Sequence, residues 1–301
     1  MSAGRTTRQA QPLSEAQPIL VLVHGFLGTP QDWDPMRTAL AARGFDDTIA
    51  VDLQACASSP QCTARLARAA RLDPGALAGS CAGAEGDGLD ALASALEERI
   101  AREVDRAGGE GRIVILCGYS LGGRACLALA CGARVGVPCI VIGADPGIED
   151  LRERSLRAGR DHAHATHLRQ DPEGFLSAWY AQPLFASLRT STQYDAVVAR
   201  RRASLADHST RESWALILDA CSPGRCAPRW GAAAQLGNGL AVVHGALDDK
   251  FAAIARRLHG LSRHVPTISI PSAGHAAHVE QPEACADAVA SIVAASIPSR
   301  L

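Results

Sequence analysis

Five consecutive apolar residues, Ile19–Val23, leave a strand no polar face to offer to water, so both of its faces must be covered. Runs of the same kind return at 48–53, 112–117, Cys139–Ile142, 240–244 and Thr267–Ile270. Between them lie helix-length segments rich in Ala, Leu and Arg, at 89–107, Leu121–Cys131, 251–258 and 282–297. In the last of these Ala284, Ala288, Val289, Ile292 and Val293 share one face, and Pro282 sits where a helix starts. Strands alternating with helices predict an α/β architecture with a mostly parallel, doubly wound sheet. Most other chain architectures are excluded at once.

Two stretches break the rhythm. Residues 54–88, rich in Ala, Cys, Gly and Ser, predict a long loop with one short helix at 63–71. Residues 147–225 are helical in pattern and fall between two strands, which predicts an inserted lid above the sheet. They carry His162, His164 and His167 together with Trp179, Tyr180 and Phe185. Residues 1–17 predict a disordered polar tail, and 18–301 one domain that includes the lid.

Lys plus Arg total 30 against 31 for Asp plus Glu, a net charge of −1, so the basic field that nucleic-acid binding requires is missing. All the basic residues but one are arginines, and Lys250 is the exception. No run approaches the ~20 apolar residues of a membrane span. The first eighteen residues have no apolar stretch suited to a secretory signal. The ten cysteines, none in a Cys-x-x-Cys pair, predict free buried thiols in a reducing cytoplasm, with a Cys221–Cys226 disulfide as the minor alternative. Arg5 and Arg8, with no acid before Glu15, keep an organelle such as a plastid as the alternative location.

Chemistry enters with Gly118-Tyr119-Ser120-Leu121-Gly122. A G-x-S-x-G match alone is weak, but here a strand precedes it and a helix follows it. That setting puts Ser120 on a tight turn at a helix N-terminus, where developing negative charge is favoured. An activated serine needs a base, and the base an orienting acid. Asp248 follows the fifth predicted strand, with Asp249 as the rival acid, and His275 follows the sixth, with His278 as the rival base. The turn His24-Gly25-Phe26-Leu27-Gly28 after the first strand lets the Phe26 N–H join the Leu121 N–H as an oxyanion hole. These four features together predict an α/β-hydrolase fold with a catalytic serine.

The wording of the motifs goes further. His24 to Thr29 leading to Asp32-Trp33, then Gly118 to Arg124, resembles the SHCHC synthases (2-succinyl-6-hydroxy-2,4-cyclohexadiene-1-carboxylate synthases) of menaquinone biosynthesis, a unit that also closes the fused phylloquinone-pathway protein of plants. Trp179-Tyr180-Ala181-Gln182-Pro183-Leu184-Phe185-Ala186-Ser187-Leu188 is similar to the family's lid signature. Asp248-Asp249-Lys250-Phe251 and Ala273 to Pro282 also match in kind. The resemblance implies a lyase that eliminates pyruvate, with Ser120, activated by His275 and Asp248, acting as a base, and with no metal or organic cofactor.

It also implies a polycarboxylate small molecule as substrate, for which arginine is the suited partner. Arg124 matches the family's Gly-Gly-Arg position. Arg157, Arg160 and Arg202 are the lid candidates, with Arg201 in place of Arg202 as the alternative. Tyr119 and Trp179 line the pocket by the same analogy. The chain departs from the family after Asp52-Leu53, where Gln54-Ala55-Cys56-Ala57 replaces a Pro-Gly-His-Gly turn. Two rivals remain at this point. One is a serine carboxylesterase, thioesterase or C–C bond hydrolase with Ser120 as nucleophile. The other is a ligand receptor on a hydrolase fold.

Overall fold

The computed structural model describes residues 17–71, 87–132 and 137–296. The predicted tail, apart from Gln17, and Cys81 and Ile297 lie outside the described residues.

The chain opens with β1 (Ile19–Val23), a 3-10 turn at Pro30–Trp33 and α1 (Asp34–Ala41), followed by β2 (Thr48–Val51). Next come α2 (Leu53–Ala57), α3 (Pro60–Arg71), α4 (Gly88–Arg106), β3 (Val114–Tyr119), α5 (Leu121–Cys131) and β4 (Cys139–Ile142). Five helices follow: α6 (Leu151–Gln170), α7 (Pro172–Ala181), α8 (Ala186–Arg189), α9 (Tyr194–Leu205) and α10 (His208–Ala220). The chain then forms α11 (Trp230–Gln235), β5 (Leu240–Gly245), α12 (Asp249–Leu261), β6 (Thr267–Ile270), α13 (Ala277–Glu280) and α14 (Pro282–Ser296).

All five strand pairings are parallel, in the order β2-β1-β3-β4-β5-β6. Side chains on a strand alternate between faces, and the core divides accordingly. Val21, Leu116, Val141 and Val242 join one cluster with α4, α5 and α10. Leu20, Leu22, Ile115, Ile140 and Val243 join the other, against Met36 and Leu40 of α1 and Val289 and Val293 of α14. This two-sided cover is why β1 is buried at every residue. Chain order reverses between β1 and β3, and ligands of such sheets bind at the strand C-termini beside that switch.

Three local expectations are corrected. The second strand ends at Val51, because the Asp52 side chain accepts the Ala55 N–H and starts α2 at Leu53. The segment expected as mostly loop holds α2 and a longer α3, with residues 72–86 outside the described set. The third strand runs to Tyr119, carrying the sheet up to Ser120 itself. Cys221 and Cys226 are both free, as are the other described cysteines, and all of these but Cys131 are buried.

Candidate active site

Ser120 occupies the turn between β3 and α5 with φ 50°, a left-handed value that a side chain adopts only under constraint. Its N–H donates to Ile142 O at 2.9 Å. Close approach on both sides supplies the rest of the constraint. A Cβ on Gly122 would lie 2.3 Å from His24 O, and one on Gly118 2.6 Å from Gly122 O. Only glycine lets α5 sit this near β1 and β3.

His275 follows β6. Its Nε2 is 3.2 Å from Ser120 Oγ and its Nδ1 is 3.1 Å from Asp248 Oδ2. Asp248 caps α12, its other oxygen accepting the Phe251 N–H at 3.2 Å. Burial alone would raise the Asp248 carboxyl; the hydrogen bond and charge of His275, the Phe251 N–H and Lys250 outweigh it and hold the group below the usual carboxylate range. Asp248 is therefore an anion at neutral pH, placed to fix the imidazole's orientation. Of the rivals, Asp249 is the first residue of α12. His278 is fully buried between the rings of Trp33 and Tyr119, at 4.4 and 4.3 Å, with Nδ1 lacking a hydrogen-bond partner.

The turn after β1 is closed by the Gly28 N–H donating to Gly25 O at 3.0 Å. His24, wholly buried, braces it: Nδ1 is 3.0 Å from Gly25 O, and Nε2 accepts the Leu53 N–H at 3.0 Å. That second bond requires an unprotonated Nε2, so Nδ1 carries the proton and donates. No sequence pattern signals this bracing role of His24. Leu121 opens α5, where a helix leaves its first N–H groups without internal acceptors. Both Phe26 and Leu121 line the cavity above Ser120.

That cavity holds about 310 Å³. Its apolar wall is aromatic: Trp179 stacks on Phe175 at 5.5 Å and meets Phe26 at 5.0 Å. The ring of Phe185 stands 6.0 Å from His275, so the Trp179 to Leu188 segment reaches the reacting groups. Arg189 clamps that segment by donating to the carbonyls of Tyr180 and Gln182. Tyr119 packs against His275 at 5.2 Å and also lines the cavity.

The predicted arginines divide. Arg124 is buried at the cavity wall, donating to Cys221 O at 2.7 Å. Burial works against its charge, but nearby acidic groups, Asp145 among them, keep it protonated. Arg157 lines the cavity with Nε on Asp161 at 2.8 Å, and Arg160 lines it as an exposed residue. Arg202 does not reach it: the side chain is exposed and its Nε pairs with Glu173 at 2.8 Å. Arg201 takes that place, buried and held by Asp32. Adjacent residues on a helix point about 100° apart, so only one of the two can face inward. Lys250, the lone lysine and part of the family-like Asp248-Asp249-Lys250-Phe251 segment, is a further cavity residue. Among the described residues no cluster of His, Cys, Asp and Glu could hold a metal ion, and no helix is long and apolar enough to cross a membrane.

Residues 20–288 match the model of the alpha/beta hydrolase family. Over 280 residues the chain is 33% identical to the 2-succinyl-6-hydroxy-2,4-cyclohexadiene-1-carboxylate synthase of Pectobacterium atrosepticum, covering 91% of this chain and 92% of that one. This chain belongs to the SHCHC synthase family of α/β-hydrolases. Identity rises to 39% with the SHCHC synthase of Enterobacter sp. over 180 residues, 59% of this chain and 66% of that relative, just short of two thirds of its length. Protein PHYLLO of Arabidopsis thaliana is 25% identical over 88% of this chain, which matches 14% of that longer protein. Among solved structures, MenH from S. aureus superposes with a TM-score of 0.70 at 21% identity, covering 93% and 94% of the two chains. At that identity the superposition speaks for the fold alone.

Proposed function

We propose that this protein eliminates pyruvate from 2-succinyl-5-enolpyruvyl-6-hydroxy-3-cyclohexene-1-carboxylate to give 2-succinyl-6-hydroxy-2,4-cyclohexadiene-1-carboxylate. The observation that carries the reading is the cation-rich cavity at Ser120, where Arg124, Arg157, Arg160, Arg201 and Lys250 all form part of the wall. A substrate with three carboxylates offers charge complementary to such a wall, whereas a neutral ester offers none.

The two ring names fix the electron flow. A proton leaves C2, beside the succinyl ketone, and its electron pair forms C2=C3. The old C3=C4 pair moves to C4=C5, and the C5–O bond breaks to release enolpyruvate, which takes up a proton to become pyruvate. Ser120 Oγ, hydrogen-bonded to His275 Nε2, is the base, and the proton passes to His275. Asp248 stabilises the imidazolium that results. Enolate charge on the ketone oxygen meets the N–H groups of Phe26 and Leu121. No acyl-enzyme forms on this route.

The helices between β4 and β5, residues 147–225, serve as the lid that keeps water from the enolate. Buried free thiols suit a reducing cytoplasm.

The same Ser120–His275–Asp248 geometry also serves a nucleophilic serine, so ester or C–C bond hydrolysis is the second reading. Purified protein mixed with freshly generated substrate separates the two. The elimination reading expects pyruvate above the uncatalysed rate, lost in Ser120→Ala and His275→Ala. Unchanged pyruvate release in Ser120→Ala would remove the serine from the reaction. Rapid turnover of nitrophenyl esters without pyruvate would favour the hydrolase.

A further inference from the structure

Helix α6 carries three histidines, and the structure separates them. His162 turns outward, with Nδ1 2.8 Å from Asp219 Oδ2 and the side chain 60% exposed. His167 has Nε2 3.9 Å from Asp171 Oδ2. Of the three, only His164 lines the cavity above Ser120. Its half-buried ring stands nearly perpendicular to those of Trp179 and Phe175, with centroids at 5.6 and 6.1 Å. That packing fixes the plane of the imidazole and leaves its nitrogens unused. Among the described residues none hydrogen-bonds to it. Burial pushes the imidazolium below its ordinary value; Asp161 opposes this, and the charges of Arg157, His167 and Arg160 reinforce it. The ring is therefore mainly neutral at neutral pH, with one N–H free to donate into the cavity.

Pyruvate elimination makes a demand that Ser120, His275 and Asp248 do not meet. C2 and C5 lie opposite each other across the six-membered ring, so the proton and the leaving oxygen depart at opposite edges. With the ketone at the Phe26 and Leu121 N–H groups and the C2 proton at Ser120, C5 is turned away from β3 and toward the lid. As the C5–O bond breaks, its electron pair becomes negative charge on the enolpyruvate oxygen, and a donor placed there lowers the barrier. Trp179 bridges the two ends of this path, its ring 5.0 Å from that of Phe26 and 5.6 Å from that of His164. His164 thus stands one aromatic ring beyond the oxyanion turn, on the lid side.

We propose that His164 is a further catalytic residue, donating a hydrogen bond to the ether oxygen at C5 and stabilising the enolate as it leaves. The C2 proton still goes to Ser120 and His275, and the C5–O electron pair stays on the enolpyruvate oxygen. The His164 proton is shared with that oxygen and not transferred, so the enolate takes its proton from water on release. A neutral imidazole suits this role beside Arg157 and Arg160, where an added positive charge would be costly. The inference rests on the pyruvate-elimination reading.

The test uses His164→Phe, which keeps an aromatic ring against Trp179 and Phe175 but removes the donor, with His164→Asn and His164→Gln, which place an amide donor at the reach of Nδ1 and Nε2. Each is checked for the parental near-ultraviolet circular dichroism. His164→Phe is expected to lower kcat for pyruvate release by about 10², with KM within about threefold. One of the two amide variants should recover most of the loss. With deuterium at C2, the isotope effect on single-turnover release should shrink in His164→Phe, because departure of the enolate then limits the rate. A purely structural role, acting through Trp179, would lower kcat with the isotope effect intact and no recovery in either amide variant; that pattern overturns the proposal. So does a raised KM at parental kcat, which marks binding without a part in bond breaking. Wild-type protein that releases no pyruvate would overturn the elimination reading and this role with it. Pyruvate release that His164→Phe leaves unchanged would overturn the role of His164 alone.

Discussion

Asp32, on the turn after β1, takes both arms of the Arg201 guanidinium from α9, with Nη1 on Oδ1 at 3.1 Å and Nη2 on Oδ2. Arg200 joins from the same helix at 3.1 Å. This ion pair ties the helical insertion to the sheet and holds Arg201 at the cavity. Burial alone would raise the Asp32 carboxyl, but the charge and hydrogen bond of Arg201 and the Thr29 N–H hold it below its ordinary value.

Asp32→Asn is predicted to cost about 3–5 kcal/mol, because it leaves the buried Arg201 charge uncompensated. Urea denaturation measures the loss. The double variant Asp32→Asn with Arg201→Met should recover part of it, since the stranded charge is gone. The pair's contribution is complete above the unfolded carboxylate value of about 4 and is lost as pH falls through the lower folded value.

Gly122→Ala is predicted to destabilise the fold by about 2–4 kcal/mol, since the new methyl would meet main-chain oxygens of β1 and of the turn after it. His24 O at 2.3 Å and Val23 O at 2.4 Å belong to rigid backbone and cannot swing aside. Ala at Gly159, which has open space around it, serves as the control and should be close to neutral or mildly stabilising.

His278 is predicted to make stability fall with acid. Burial, reinforced by the charges of Arg201 and other neighbours, takes its value from 6.5 down to about 3. The neutral ring's contribution is thus fully present above about 6.5 and is lost as pH drops toward 3, at about 1.4 kcal/mol per pH unit. Denaturation curves at pH 7 and pH 4.5 test this. His278→Leu should show a shallower decline across that interval.

Asp248→Asn is predicted to separate catalysis from folding. The amide oxygen still accepts the Phe251 N–H that caps α12, so stability should change by no more than about 1 kcal/mol. The imidazole loses its anion, and kcat should fall by about 10²–10⁴. Pyruvate release and thermal denaturation on one preparation give both numbers.

The strands were legible because a parallel sheet covered on both faces has to be written as continuous apolar runs, as at Ile19–Val23 and Cys139–Ile142. Ser120 and Asp248 were legible because each follows such a run at the strand's C-terminal end, and His275 because it follows the alternating Thr267–Ile270 strand. The start of α2 was not. Its cap is local, Asp52 accepting the Ala55 N–H, but the turn is also held by His24, 29 residues earlier, accepting the Leu53 N–H, which is a tertiary event. Arg201 could be read only as the alternative to Arg202, for a related reason. In the run Arg200-Arg201-Arg202 the inward residue is chosen by the direction of Asp32, and no local pattern records that.

The most direct test of the central claim, that Ser120 removes a ring proton, compares substrate carrying deuterium at C2 with the unlabelled compound. Pyruvate release is followed under single-turnover conditions, and the protein is quenched for intact mass. Slower release from the deuterated substrate and no mass added to the chain are expected. Equal rates from both substrates, together with a covalent adduct on Ser120, would contradict that claim.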